Sequence, residues 1–560
     1  MNQSAEAREV GPAQALAAER AIRAAARAGN RLIAGATVSV DLDRPTARAH
    51  LIGALRRMGA RLRPAGEAVD FAFVDRAPAE PGSAPGSAPG SVDGARSESA
   101  SAAGLPGVVV GLDGGVRPRR GASAASRIAW AAAGMPATAT LAGLLGAEGS
   151  HRGVRVGVSL VLEPKTAAFA RLLADAGCSV AVFSAVSETD PEIAEELARD
   201  GRIAVFAPRA GDSARSAADV DAAHAAAILD WGPEYLIDDG AHLIRLAHSE
   251  RPSALARLRG AAEETTSGVR PVREMAALDA LRLPVIAVND ARTKTDFDNL
   301  IGTGQSCVLA IADVLDAARD AVPYTGVAGT RWAVVGYGPV GQGVARFASA
   351  LGAEVVVVER DPVRALAALH DGHEAESSRS ALSRADVVVS ATGVWHTLDA
   401  QAVSSLQDGA VLAVAGGIDD EIALDQLREA GWEEHEVARG VAEWRAPALH
   451  DGRGVLVLAE GGGVNYTAAE GNPIEVMDLS FATQVAALAQ LIEAEPPEGV
   501  HRLSDADERR VAAAALAARG GDVDPSPGAP RAGGAAQPWT VHRYRSTRDG
   551  RATGDGAPTP

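Results

Sequence analysis

Of the 54 basic residues in this chain, only two, Lys165 and Lys294, are lysines. Arginine stays charged, whereas a lysine can lose its proton when it is desolvated or crowded by other cations. Lysines that survive among so many arginines are therefore pointers to proton chemistry. Lys294 lies in VNDARTKTDFDNLIG (Val288–Gly302), with Asp298 four residues on and Asn299 beside it. That spacing puts ammonium and carboxylate on one helical face, where the acid holds the lysine in register. The same carboxylate raises the lysine pKa, so its capacity as a base depends on further neighbours. Other acids stand upstream: Asp239 in LIDDGAHL (Leu236–Leu243), and Glu264 in EETTSG (Glu263–Gly268) next to Thr265 and Thr266. Each also has a plain reading, Asp239 in an Asp-Gly turn and Glu264 in a helix-capping arrangement with Thr265.

A second chemistry is written in WAVVGYGPVGQG (Trp332–Gly343). Gly336, Gly338 and Gly341 fit G-x-G-x-x-G after an apolar strand and at the head of a helix, with Val340 inside the turn. Such glycines allow a tight turn and close approach of the backbone to a pyrophosphate. The amides of the helix start then face the phosphates. The next strand, VVVVE, ends on Glu359, where a carboxylate suits ribose hydroxyls and repels a 2′-phosphate. NAD is the expected cofactor, with Arg360 and Arg364 keeping NADP as the lesser alternative. Val387–Val394 (VVVSATGV) is a further strand whose Thr392–Gly393 turn would line the nicotinamide side. Cys178 and Cys307, the only cysteines, make neither a disulfide framework nor a zinc site unaided, so no metal is expected.

These groups need elements to hold them. A chain of 560 residues suggests three or four compact units, and 47% hydrophobic with 22% charged residues is an ordinary globular balance. A net charge of −18 argues against nucleic acid or an anionic membrane surface as partner. No apolar run approaches the roughly 18–20 residues of a spanning helix. The polar start MNQSAEAREV does not read as a secretory signal, and a cytoplasmic location is expected. The N-terminal stretch has an alanine/arginine helix pattern to about 36, then Thr37–Leu42, Leu51–Met58 and Phe71–Val74 suggest a small βαβ unit. The middle alternates strands (Val154–Leu162, Val180–Phe183, Ala204–Ala207, Tyr235–Ile237, Val285–Val288) with helices such as Lys165–Ala176 and Pro191–Ala198. Alternation of this kind implies α/β architecture with mainly parallel sheets.

Four segments in fixed order resemble the S-adenosylhomocysteine hydrolase (adenosylhomocysteinase) family: LIDDGAHL, EETTSG, VNDARTKTDFDNLIG and LAEGGGVNYTAAEGNPIEVM (Leu458–Met477). The glycine motif sits between the third and fourth, and the likeness covers about 126–518. It implies a parallel-sheet substrate domain at 126–300, with a return segment near 473–497, and a Rossmann NAD-binding domain at 306–470. A small α/β extension at 1–77, a flexible linker at 78–125, a C-terminal helix at 498–519 and a disordered tail at 520–560 complete the division. The resemblance further implies bound NAD that oxidises a ribose 3′-hydroxyl, removal of the C4′ hydrogen, elimination at C5′, addition of water and return of the hydride. In it Lys294 and Asp298 serve the 3′-hydroxyl, with Asn299 beside them, and Asp239 serves C4′. Glu264 grips ribose hydroxyls, Thr265 and Thr266 line the substrate pocket, and Asn465 meets the nicotinamide region. A homo-oligomer acting on a small nucleoside is implied.

The departures cluster. Histidines of the family's pattern are replaced by Val161, Gly417 and Asn472, the last at a substrate-contacting position, while the cysteine after FDN is Thr303 and the later aspartate of the LIDDGAHL run is His242. The C-terminal lysine and tyrosine of many members are absent. Valine, glycine and asparagine transfer no protons at neutral pH. The expectation is therefore an altered nucleoside or thioether substrate, the alternative being a degenerate homologue that only binds NAD or a nucleoside.

Overall fold

The computed structural model describes residues 11–78, 105–118, 121–149, 151–208, 216–416, 420–447 and 453–524. The chain up to Gly520 forms one compact unit, and Gly521–Pro560 counts as a second. Of that second unit only 521–524 are described, so the tail expectation lies outside the described residues, as does Gly417.

Among the described residues, three sheets carry the first unit. The N-terminal sheet runs Arg61–Leu62, Thr37–Asp41, Phe71–Val74, Val108–Gly111, Val116–Arg117, parallel except for its last strand. Phe71 and Phe73 alternate into its core, which is covered by helices Pro12–Arg27 and Pro45–Met58. Here the linker expectation for 78–125 needs correction. Val108–Gly111 pairs along Phe71–Val74, and helix Ala124–Ala133 starts inside the same span. The apolar VVV of this strand is short and hemmed by proline and glycine, which hid it within a linker-like composition; 79–104 lie outside the described residues.

The second sheet has seven strands in the order Gly499–His501, Pro284–Ala287, Gly260–Glu263, Tyr235–Asp238, Arg155–Ser159, Ser179–Phe183, Ile203–Phe206, all parallel. Two of these went unread in the sequence. GAAE is too short and too weak in β-formers to declare itself, and Gly499–His501 falls where only a C-terminal helix was expected, with that helix at Asp505–Ala518. Helix Ile474–Ala494 returns to this sheet, and its Phe481 stacks on Phe169 with ring centroids 4.5 Å apart. Its Asp478 accepts from the amides of Ala137 (3.1 Å) and Thr138 (2.7 Å), so it caps helix Pro136–Glu148.

The third sheet has the order Glu374–Ala375, Glu354–Val358, Arg331–Val335, Val387–Ser390, Val411–Val414, Gly454–Leu458, Val441–Arg445, Glu433–Ala438. It is parallel up to Gly454–Leu458 and ends in an antiparallel hairpin that the alternation rule does not foresee. Among the described residues, the helical run Arg292–Ala317 is long and apolar enough to cross a membrane, contrary to the reading by apolar runs alone, but 72% of that window is buried within the protein. It is a core element joining the second sheet to the third.

Candidate active site

The expected residues gather where parallel strands end. In an open parallel sheet, ligands bind at the carboxyl ends of the strands, where loops and helix N-termini converge. Val161, Asp239, Glu264 and Asn289–Lys294 follow four adjacent strands of the second sheet. The glycine turn, Glu359 and Thr392–Gly393 follow three adjacent strands of the third.

Lys294 is at the centre of the first set, with only 3% of its surface exposed. Its Nζ pairs with Asp298 Oδ2 at 2.9 Å and donates to Asn299 Oδ1 at 2.5 Å, with Glu264 Oε1 at 3.9 Å. The segment Thr295–Gly302 is π-helical, not α-helical. An i→i+5 register brings the fifth residue as well as the fourth over the lysine, so both Asp298 and Asn299 meet it. Asn299 in turn donates to Asn289 Oδ1 at 2.8 Å, and Thr266 Oγ1 donates to the same oxygen at 3.1 Å. Burial pulls the Lys294 pKa down, but Asp298 and Glu264 outweigh it and hold the value above that of an ordinary lysine. Lys294 is thus an ammonium at neutral pH.

Glu264 behaves in the opposite way. Burial pushes its pKa up to about 7, against the pull of Lys294. Ser480 and Gln484, both on the returning helix, donate to its two oxygens. Asp239 is half-buried; desolvation raises its pKa while Lys294 and His242 lower it. Beneath it lie two acids that the sequence reading did not single out. Glu263 accepts from the amides of Gly240 and Ala241, each at 2.9 Å, and of Thr265 at 3.0 Å, which fixes the turn bearing Asp239. Asp238 accepts from Ile244 at 2.9 Å. Burial raises both acids, Asp238 to about 6 and Glu263 well above the usual range, the latter helped by the neighbouring aspartates. Their strand positions in the LIDD and AEE runs were the only available signal.

Asn472 turns inward. Its Nδ2 donates to Asp298 Oδ1 at 2.6 Å and Thr303 Oγ1 at 2.9 Å, and its Oδ1 accepts from Ser306 at 2.7 Å and Asn465 at 3.3 Å. An amide offers two donors and one oxygen, so the protein itself occupies this residue. Asn472 therefore holds Asp298 from the side away from Lys294, and the expected substrate contact is spent on the protein.

The cofactor edge has the shape and donors that a dinucleotide needs. A Cβ on Gly341 would lie 1.9 Å from Gly336 O, so the helix packs on the turn only with glycine there, whereas a Cβ on Gly338 would meet nothing nearer than Arg364 at 3.7 Å. That leaves an open cradle before helix Pro339–Leu351, whose N-terminus has no side-chain cap, with Val340 in its first turn. Glu359 accepts from the amides of Tyr337 and Arg360, each at 2.7 Å, and of Asp361 at 3.0 Å. Burial would raise its pKa, but these amides and Arg364 bring it below the ordinary value, so it is a carboxylate. Thr392 and Gly393 are bound to Glu421, a buried acid not foreseen, through the Thr392 hydroxyl at 2.8 Å and the amides of Thr392 and Gly393 at 3.2 and 3.0 Å. Asn465 Oδ1 is buried and lacks a partner among the described residues, an acceptor that a carboxamide donor would satisfy. The residues present fit NAD.

A three-sheet α/β chain with this edge is a dinucleotide-dependent enzyme of the Rossmann class, and its cofactor is NAD. It belongs to the S-adenosylhomocysteine hydrolase family. The family model described as S-adenosyl-L-homocysteine hydrolase, NAD binding domain, matches residues 304–471. The chain is 38% identical over 401 residues to the adenosylhomocysteinase of Thermotoga maritima, which covers 71% of this chain and 95% of that one. It is 36% identical to the S-inosyl-L-homocysteine hydrolase of Methanopyrus kandleri over 71% of this chain and 91% of that protein. The adenosylhomocysteinase of Aquifex aeolicus is 34% identical over 71% and 92%.

Proposed function

We propose that this enzyme cleaves a nucleoside thioether by transient oxidation at the ribose 3′-carbon, deprotonation of C4′ and elimination at C5′, on a substrate other than S-adenosylhomocysteine. The observation that carries the proposal is the buried Lys294, bracketed by Asp298, Asn299 and Glu264 with Asp239 on the neighbouring strand end. NAD, when bound, supplies reversible hydride acceptance from a ribose carbon. An ammonium at Lys294 stabilises developing negative charge on the 3′-oxygen rather than taking the proton itself. Glu264, with its pKa near 7, is suited to orient the ribose hydroxyls and accept that proton. Asp239, on a turn fixed by Glu263, is the base for the C4′ hydrogen.

The altered-substrate reading rests on the other wall. Val161 brings no titratable group there, and Asn472 is engaged by Asp298, Thr303 and Ser306. Lys165 too is engaged by the protein, buried beside Glu163 and donating to Glu470 O at 2.9 Å. Adenosyl and inosyl thioethers are the pair to compare. We further place the enzyme in the cytoplasm, in keeping with its two free, buried cysteines, and from the family resemblance we expect a homo-oligomer.

The test is reduction of the bound cofactor by a panel of ribonucleosides. We expect one or more to produce the reduced cofactor, with homocysteine released slowly from S-adenosylhomocysteine. Lys294→Arg keeps the charge but displaces it, and should cut the reduction rate by about 10²–10³. Silence from every ribonucleoside, with Lys294→Arg indistinguishable from wild type, would favour a protein that only binds NAD or a nucleoside.

A further inference from the structure

The family resemblance begins at about residue 126, yet the N-terminal module reaches the scaffold of the site. Its segment 29–33 crosses behind the chain where helix Ile474–Ala494 begins. Asn30 Nδ2 donates to Glu470 O at 2.8 Å and to Asn472 O at 3.2 Å, and Asn30 O accepts from Ile474 N at 2.9 Å. Arg31 pairs with Glu475, and Leu32 N donates to the same carboxylate at 2.9 Å. Ile33 N donates to Gln305 Oε1 at 2.8 Å, and Gln305 Nε2 donates back to Arg31 O at 3.0 Å. Four residues of the module, Asn30 to Ile33, thus grip both stretches that join the second and third sheets. Asn30 adopts φ 52°, a left-handed conformation uncommon outside glycine, which turns both backbone and side chain toward 470–474.

We infer that Asn30 is a positioning residue for the site: it fixes the backbone of Glu470–Asn472, and so the amide that holds Asp298 against Lys294. The route is continuous. Asn30 binds the Asn472 carbonyl, the Asn472 side chain binds Asp298 Oδ1, and Asp298 Oδ2 binds Lys294. Lys165 shares the Glu470 carbonyl and Arg127 holds the Glu470 carboxylate at 2.9 Å, but Asn30 alone among these bonds the Asn472 backbone. The inference rests on the proposed role of Asp298, and its test separates the two.

The probe is Asn30→Gly in the full-length, NAD-loaded protein, since glycine keeps the positive φ and removes only the two donors. Amide hydrogen exchange, read by mass spectrometry, should accelerate about tenfold in 470–475 and stay unchanged in helix Thr303–Ala317. NAD content and the thermal midpoint should be retained. With the most active ribonucleoside, kcat for cofactor reduction should fall about 10- to 100-fold with KM little changed, as for misplacement of a reacting group. In the Asn472→Ala background, Asn30→Gly should cost nothing further, because both act on the same bond network. Asn30→Asp, which tolerates the same φ but sets a carboxylate against two carbonyls, should move exchange and kcat in the same direction. Unchanged exchange in 470–475, or losses that multiply in the double variant, would overturn the inference. If no ribonucleoside reduces the cofactor even in wild type, the proposed function fails while the exchange result still decides the role of Asn30.

Discussion

In the proposed mechanism Glu264 and Lys294 divide the labour in an order the motif alone does not give. The neighbouring acids keep Lys294 charged, while burial lifts Glu264 into the neutral range. The proton from the 3′-hydroxyl should then pass to the glutamate. The rate of cofactor reduction should rise with pH through about 7 as Glu264 ionises. Glu264→Gln should abolish that limb and lower kcat by about 10²–10⁴; a limb that survives the substitution would assign it to another group. The same shift has a stability consequence. A carboxyl whose folded pKa lies above its unfolded 4.5 stabilises the fold below that value, and the contribution is lost as pH rises through about 7. It amounts to about 3 kcal/mol, so chemical denaturation of Glu264→Gln should depend less on pH between these limits than wild type. Lys294, Asp298, Asp239 and Glu264 were legible because rare or paired residue types sat in recognisable runs. Glu263, Glu421, Ser480 and Gln484 were not, since their importance comes from neighbours supplied by distant segments.

Between residue and fold, the π-helical turn is the element that sets the geometry. It runs into helix Thr303–Ala317, which crosses helix Pro339–Leu351 with almost no side chain between them. A Cβ on Gly304 would lie 2.5 Å from the Gly343 carbonyl carbon, and one on Gly343 would lie 1.9 Å from Leu300 O. The lysine segment and the cofactor helix are therefore locked backbone to backbone. Gly343→Ala should force them apart, costing about 1–3 kcal/mol by denaturant titration, as overpacking does. NAD should be retained poorly on gel filtration; full occupancy at wild-type stability would show that the crossing is not needed. The glycine turn and its flanking strands could be read from sequence because their periodicity and turn chemistry agree. The π register, the hairpin Glu433–Ala438/Val441–Arg445 and the short strand Gly260–Glu263 could not. Their form depends on what packs beside them rather than on local preference.

For the molecule as a whole, we propose that the second and third sheets close on each other about two crossings, near Asn299–Cys307 and near Asn472, so that water leaves the cleft before oxidation. The N-terminal module bears on this motion. Arg23, buried in helix Pro12–Arg27, donates to Asp316 at 2.7 Å and pairs with Asp313, and Arg20 donates to Asp316 at 2.8 Å, so the module is fastened to helix Thr303–Ala317. Arg23→Ala removes the buried member of this network while Arg20 still holds Asp316, so it should cost less than a fully broken buried pair, about 1–3 kcal/mol in thermal or denaturant unfolding. A loss within error would mean that the Arg23 pairs add nothing to docking beyond the module's other polar and apolar contacts. Small-angle scattering should show a smaller radius of gyration with NAD and a reactive nucleoside than with NAD alone, and equal radii would contradict closure.

The most direct test of the account is isotopic. Purified, NAD-loaded protein is incubated in deuterated water with adenosyl and inosyl thioethers and with their free nucleosides, and the recovered nucleosides are analysed by mass spectrometry and NMR. Oxidation at the 3′-carbon acidifies the neighbouring C–H, and Asp239 should exchange it, so deuterium should appear at C4′ of at least one substrate whatever its final product. Asp239→Asn should abolish that label by removing the base while leaving cofactor reduction in place. Cofactor reduction with no deuterium at C4′ of any substrate would contradict the proposed mechanism.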